Sequence, residues 1–190
     1  MNRLQIRYLA PISLLMLLLG GCLTASHKEM RLSLNPDGKS GSGTILFSHI
    51  HSEATEDTTD QTKKDFNSLI SEYYQGKKFE MATKGIKNIK KRLYLDGKDL
   101  MGEVTFEFDN IADLGFFRYN GRGPFLYYVL SDGYFTSGQF EVSNGSYGGE
   151  KMPIIFWDEN SRDFYVKVAL SSPQSPERSI IPLYQAWVKK

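Results

Sequence analysis

The segment from Ile86 to Phe108 constrains this chain more than any other. Val104, Phe106 and Phe108 alternate with Thr105 and Glu107, the period-2 pattern of a strand with one buried face. On the preceding arm, Ile86 to Leu95, the residues Ile89, Lys91, Leu93 and Leu95 share a face, and Asp96-Gly97 begins the turn between the arms. A hairpin with a single apolar face commits the chain to an antiparallel sheet that another layer must cover.

The same alternation recurs along the chain. Met30, Leu32 and Leu34 read as a strand that ends at the turn Asn35-Pro36-Asp37-Gly38. Gly41 and Gly43 extend that loop, and Thr44 to Ile50 returns. Later strands fall at Phe116–Tyr119, Phe125–Leu130, Tyr134–Val142, Pro153–Trp157 and Phe164–Leu170. Helical spacing appears at Phe66, Leu69, Ile70, Tyr73 and Tyr74, with Thr62 as the expected N-cap and Gly76 as the stop. A second short helix is expected within Lys77–Lys84. A third closes the chain on Ile180, Leu183, Tyr184, Trp187 and Val188, with Pro182 in its first turn. His51–Gln61 reads as an exposed acidic loop and Ser143–Glu150 as a flexible one. The expected fold is α+β: mainly an antiparallel sheet of about eight strands, with two or three helices packed on one face. An aromatic content of 13% agrees with a sheet-rich domain.

The N-terminus sets an address. Arg3 and Arg7 precede an apolar run, Leu9 to Leu19, that is too short for a comfortable transmembrane helix. Leu19-Gly20-Gly21-Cys22 follows, and Cys22 is the one cysteine of the chain. It has no partner for an intramolecular disulfide. This layout resembles the signal and lipobox of bacterial lipoproteins. The resemblance implies cleavage before Cys22 and a diacylglycerol on its sulfur, giving a signal peptide over 1–21, a lipidated cysteine with a short tether over 22–29, and a single domain over 30–190. Leu23 after the cysteine, rather than Asp, implies the outer membrane with the domain facing the periplasm. Two or more acyl chains anchor stably where one does not. Removing Arg3 and Arg7 leaves 21 basic against 22 acidic residues, so the net charge moves from +1 to −1. That balance argues against nucleic acid as a partner.

The post-lipobox strand with Asp37-Gly38, the Phe66–Tyr74 helix and the segment Leu100, Gly102, Val104, Phe106, Phe108, Asn110, Ile111, Leu114 resemble those of small lipoproteins with an LppM-like domain. The resemblance implies an envelope-facing α+β domain that binds an apolar or envelope ligand, and it brings no catalytic residues with it.

No established catalytic motif stands in the sequence. Gly38-Lys39-Ser40 ends like a phosphate-binding loop, but Ser33 occupies the position of the required first glycine. No Gly-x-Ser-x-Gly elbow is present. His49 and His51, two apart at a strand end, would share a face and have donors for a transition metal, with Glu53, Glu56 and Asp57 as oxygen sources. The bland reading of this pair, two surface histidines beside a solvated loop, is the favoured expectation. The aromatic segment around Arg118 and Arg122 offers a ligand surface made of Phe117, Arg118, Tyr119, Arg122 and Tyr127. Rings stack on sugars or lipid, and arginine forks onto carboxylate or phosphate. Against it stands the reading in which alternate rings are simply core. The Lys87–Arg92 run is expected on a solvated strand face. Function is therefore expected to be that of a membrane-anchored, non-enzymatic module binding a lipid, glycan or protein of the envelope, with no cofactor. The alternative is an anchored periplasmic hydrolase with a dispersed site.

Overall fold

A computed structural model describes residues 23–54, 59–83, 85–129, 138–172 and 176–189. The lipobox, Cys22 and the turn at Ser131-Asp132-Gly133 lie outside the described residues. The fold is α+β. Its strands are β1 (Leu23–Leu34), β2 (Gly41–Ser52), β3 (Ile86–Asp96), β4 (Asp99–Phe108), β5 (Phe116–Phe117), β6 (Phe125–Tyr128), β7 (Gln139–Ser143), β8 (Ser146–Tyr147), β9 (Ile154–Trp157), β10 (Asp163–Ala169) and β11 (Arg178–Ser179). Its helices are α1 (Thr59–Ser68), continued by a π-helical segment Leu69–Tyr74, α2 (Lys78–Ala82) and α3 (Ile181–Val188). The strands divide into two sheets rather than one. The large one runs β3-β4-β2-β1-β10-β7, with β11 added beside β2, and the small one runs β5-β6-β9-β8. All pairings are antiparallel. Among the described residues no helix is long and apolar enough to cross a membrane.

Register fixes which face is covered. Lys91, Val104, Ile45, Met30 and Val166 stand side by side across five strands. Val104, Ile45, Met30 and Val166 are buried in the main apolar cluster with Phe116, Phe125, Tyr127, Ile155 and Trp157 of the small sheet. Lys91 sends its ammonium to the Tyr73 and Gly76 carbonyls, both at 2.8 Å, and to Glu80 at 2.7 Å. A cation here meets the free carbonyls of a helix C-terminus. So the helices and the small sheet cover the same face of the large sheet, at its two ends. The opposite face carries Arg92, Glu103, Leu46, Glu29 and Lys167 in one row, tied by pairs such as Arg92–Glu103 at 3.0 Å. The basic run is thus divided: Lys91 turns inward, while Arg92 lies on the polar face and Lys87 pairs with Asp109.

Three local expectations change. Residues 23–29, expected as a tether, belong to β1, which pairs with β2 from Leu23 onward. Gly41 and Gly43 are not loop spacers but strand residues under aromatic rings. A Cβ at Gly43 would lie 2.6 Å from both Leu32 Cδ2 and Phe106 Cζ, and one at Gly41 would lie 2.1 Å from the Ser33 carbonyl. Thr62 falls inside α1 rather than capping it. Asp65, three residues on, is buried and accepts from Ser52 Oγ at 2.5 Å and Gln61 Nε2 at 2.8 Å. It clamps α1 to β2.

Candidate functional site

Between the two covers of the large sheet runs a half-open strip. Its row is Leu93, Gly102, Phe47, Lys28, Val168 and Phe140, neighbours across six strands. On one side lies the cluster beneath the small sheet, and on the other the cluster formed by Leu23, Ala25, Ile50, Leu100 and Ile180 with the helical residues Phe66, Leu69 and Ile70. Phe47 and Leu170 touch both clusters. Leu93, Phe47, Lys28 and Phe140 are only half-buried, whereas Val104, Ile45, Met30 and Val166 in the next row are buried. We read this strip, less covered than the row beside it, as a shallow groove with a mostly apolar floor.

Lys28 is the exception on that floor. Even numbering from Met30, Leu32 and Leu34 places it on the covered face, opposite Phe47 and Val168. Burial pulls its amine down to about 8, and no carboxylate among the described residues offsets that loss of solvation. The sequence hides it because residues 23–29 read as a tether. The signal was present: Lys28 keeps the period of Met30 and Leu32.

The expected aromatic surface is split by the pleat of the small sheet. Phe117 (47% exposed), Tyr119 (78%) and Arg122 lie outside. On the outer face Phe117 neighbours Leu126, which neighbours Phe156, while Tyr128 neighbours Ile154. Arg118 is half-buried over the Phe125 ring at 4.4 Å, and its Nε donates to the Gly123 carbonyl at 3.0 Å. Tyr127 must be removed from the set. It points inward, its ring is 4.9 Å from that of Phe116, and burial pushes its hydroxyl up to about 12. Phe125 and Tyr127 share the inner face because successive strand residues alternate.

The histidines meet at a change of partner. β2 pairs with β4 as far as Phe47, and with β11 at His51 and Ser52. His49 sits in the gap with φ +55°, a left-handed conformation. Asp99, at the start of β4, reaches His49 Nδ1 at 2.6 Å, and Glu177, just before β11, reaches Nε2 at 3.1 Å. The Asp99 hydrogen bond raises the His49 pKa, against partial burial, and Glu177 adds to the rise. The two rings are 5.1 Å apart. His51 is not the surface residue expected: it is 1% exposed. Its Nδ1 is 2.8 Å from the His49 carbonyl, and its Nε2 is buried without a partner among the described residues. Of the acidic loop, Glu56 and Asp57 lie outside the described residues.

Ser52, His51 and Asp65 come close without forming a relay. Ser52 is buried and donates directly to Asp65, and the bonded nitrogen of His51 is on a backbone carbonyl. A nucleophile activated by histidine would need the serine hydroxyl on the imidazole and open to substrate. Among the described residues the groove, the outer aromatic face and the histidine cluster are the distinctive features, and no protein-family model, curated protein or solved structure matches the chain.

Proposed function

We propose that the chain is a lipid-anchored envelope module that binds an anionic amphiphile, such as an envelope lipid, in the groove across its large sheet. The observation that carries this reading is Lys28: a lone amine on an otherwise apolar, half-open floor, with no carboxylate among the described residues to neutralise it. An unpaired cation partly withdrawn from water is costly, and a bound anion offsets that cost while an acyl chain covers Phe47, Leu93 and Phe140. The anchor at Cys22 belongs to the same reading. On this reading β1, which begins next to the acylated residue, holds the domain close to the membrane. Lys28 then lies about 20 Å along the strand from the acylated residue, within reach of lipid leaving the bilayer. The exposed Phe117, Tyr119 and Arg122 lie toward the far end of β1, where Phe116 packs on Phe164 and Phe164 pairs with Leu32. They face away from that membrane and suit a second contact with glycan or partner protein.

The test is fluorescence titration of the purified chain with cis-parinaric acid and its methyl ester. The acid binds, and the ester binds at least about tenfold more weakly, since a charge-assisted hydrogen bond contributes about 1.5–3 kcal/mol. Lys28→Met removes the difference between the two. Equal binding of acid and ester, or no binding of either, refutes the proposal.

A further inference from the structure

We propose that His49, His51 and Glu177 form a binding site for a divalent transition-metal ion of the zinc class, independent of the groove. One donor atom from each of the three lies within 4.8 Å of the others. A tetrahedral zinc, with bonds of about 2.0–2.2 Å, holds its ligand atoms about 3.3 Å apart. His49 Nε2 and Glu177 Oε2 already stand 3.1 Å apart. Bringing the third donor in takes a movement of about 1.5 Å. His49 and Glu177 can supply it, because their side chains are 37% and 52% exposed.

The second observation is the buried histidine. A backbone carbonyl can only accept, so the His51 nitrogen on the His49 carbonyl, Nδ1, carries the proton. Nε2 is then a lone pair in a residue 1% exposed, and among the described residues it meets no donor. A buried acceptor left empty costs stability unless something fills it. A metal ion does so without needing a proton.

The outer contacts match what metal-binding imidazoles need. Ligating histidines usually donate their other nitrogen to a carboxylate or a backbone carbonyl, which fixes tautomer and ring angle. Here Asp99 stands on Nδ1 of His49, and the His49 carbonyl on Nδ1 of His51. Both Nε2 atoms are left for the ion. Two imidazoles, borderline donors, outnumber the single hard carboxylate. They favour zinc, cobalt, nickel or copper over calcium and magnesium, which take oxygen shells. Three protein ligands also leave a fourth position for water or a ligand. The fold builds the site deliberately late in the chain. β11 docks on β2 through the pairs Arg178–Ser52 and Ser179–His51, which sets Glu177 beside His49, so a bound ion would tie the C-terminal segment to the central strand.

The experiment uses the full chain in detergent micelles, stripped with a chelator and dialysed, then titrated with cobalt chloride and zinc chloride. Expected are visible d–d bands with cobalt, one ion per chain, and displacement by zinc. Glu177→Gln and His49→Gln each weaken binding at least tenfold, and Asp99→Asn weakens it about 10–100-fold while keeping the stoichiometry. Circular dichroism confirms that these variants, all at partly exposed positions, remain folded. If cobalt gives no bands and zinc no heat, the cluster is an imidazole–carboxylate ion pair only and the proposal fails. Unchanged affinity in folded Glu177→Gln and His49→Gln chains likewise overturns it, placing the ion elsewhere.

Discussion

Replacing Lys28 by Met should stabilise the protein at neutral pH while weakening binding of the proposed anionic ligand. Lys28 falls from 10.5 to about 8 because burial disfavours its charged form. Between these values the unfolded chain holds a proton that the folded chain has released, so stability rises with pH across that window. Below about pH 8 both states are charged, and the folded state bears the whole desolvation cost. At about 1.36 kcal/mol per unit, that cost is about 3 kcal/mol. Solvent at the open side of the groove screens part of it, which sets the expected gain for Lys28→Met at about 1–3 kcal/mol at pH 7. For a chain of this size the gain raises Tm by about 2–4 °C per kcal/mol. Methionine keeps the apolar stem and fits the floor between Phe47 and Val168. The assay is urea denaturation of both chains at pH 7, 8, 9 and 10 without ligand. The parent gains stability from pH 8 to 10 and converges on the variant, whose own curve lacks this rise. A less stable variant at pH 7, or the same rise in both chains, would refute the argument for a desolvated amine.

Other outcomes follow from the packing and from the anchor. Gly43→Ala drives a methyl into the Leu32 and Phe106 side chains and should cost about 1–3 kcal/mol, and Gly41→Ala should cost more because its methyl meets the Ser33 carbonyl; equal denaturation midpoints for parent and both variants would contradict this. Asp37 is held below its usual pKa by the Ser40 hydroxyl and then by the Lys39 and Ser40 amides. Its contribution is therefore complete above pH 3.8 and lost as pH falls through the lowered value, so the parent's advantage over Asp37→Asn in thermal melts should vanish in strong acid, and a constant difference at every pH would rule out this role. Cys22→Ala should abolish fatty-acid labelling and leave a larger, unprocessed chain, whereas unchanged labelling would overturn the anchor.

The parts of the fold that a reader of the sequence can see are those with a clean period. Val104, Phe106 and Phe108 alternate as strand residues facing one core, and Phe66, Leu69, Ile70 and Tyr73 are buried on one helical face. Two-residue strands have no period to read: β8 and β11 stay hidden in loops, while β5 shows only as the start of the expected strand Phe116–Tyr119. The division into two sheets follows from those short strands and was hidden with them. Glycines misled because Gly41 and Gly43 signal turns by composition, yet here they leave room for Phe108 and Phe106. Of the candidate sites, the His49–His51 pair was visible as a spacing. Its partners were not: Asp99 and Glu177 are 50 and 128 residues away from His49 and reach it through sheet register. Lys28 was legible in principle, since it keeps step with Met30 and Leu32, but a charged residue near an N-terminus reads as linker.

The most direct test of the groove is the titration of Lys28 itself. In a chain carrying 13C at the lysine ε-carbons, with Lys28 assigned by comparison with Lys28→Met, the free protein should show a midpoint near 8. Saturating myristate should move that midpoint back to the usual lysine value or above, because a carboxylate beside the amine favours its charged form. A midpoint of about 10.4 in the free protein, or a depressed midpoint that myristate leaves in place, would contradict the account.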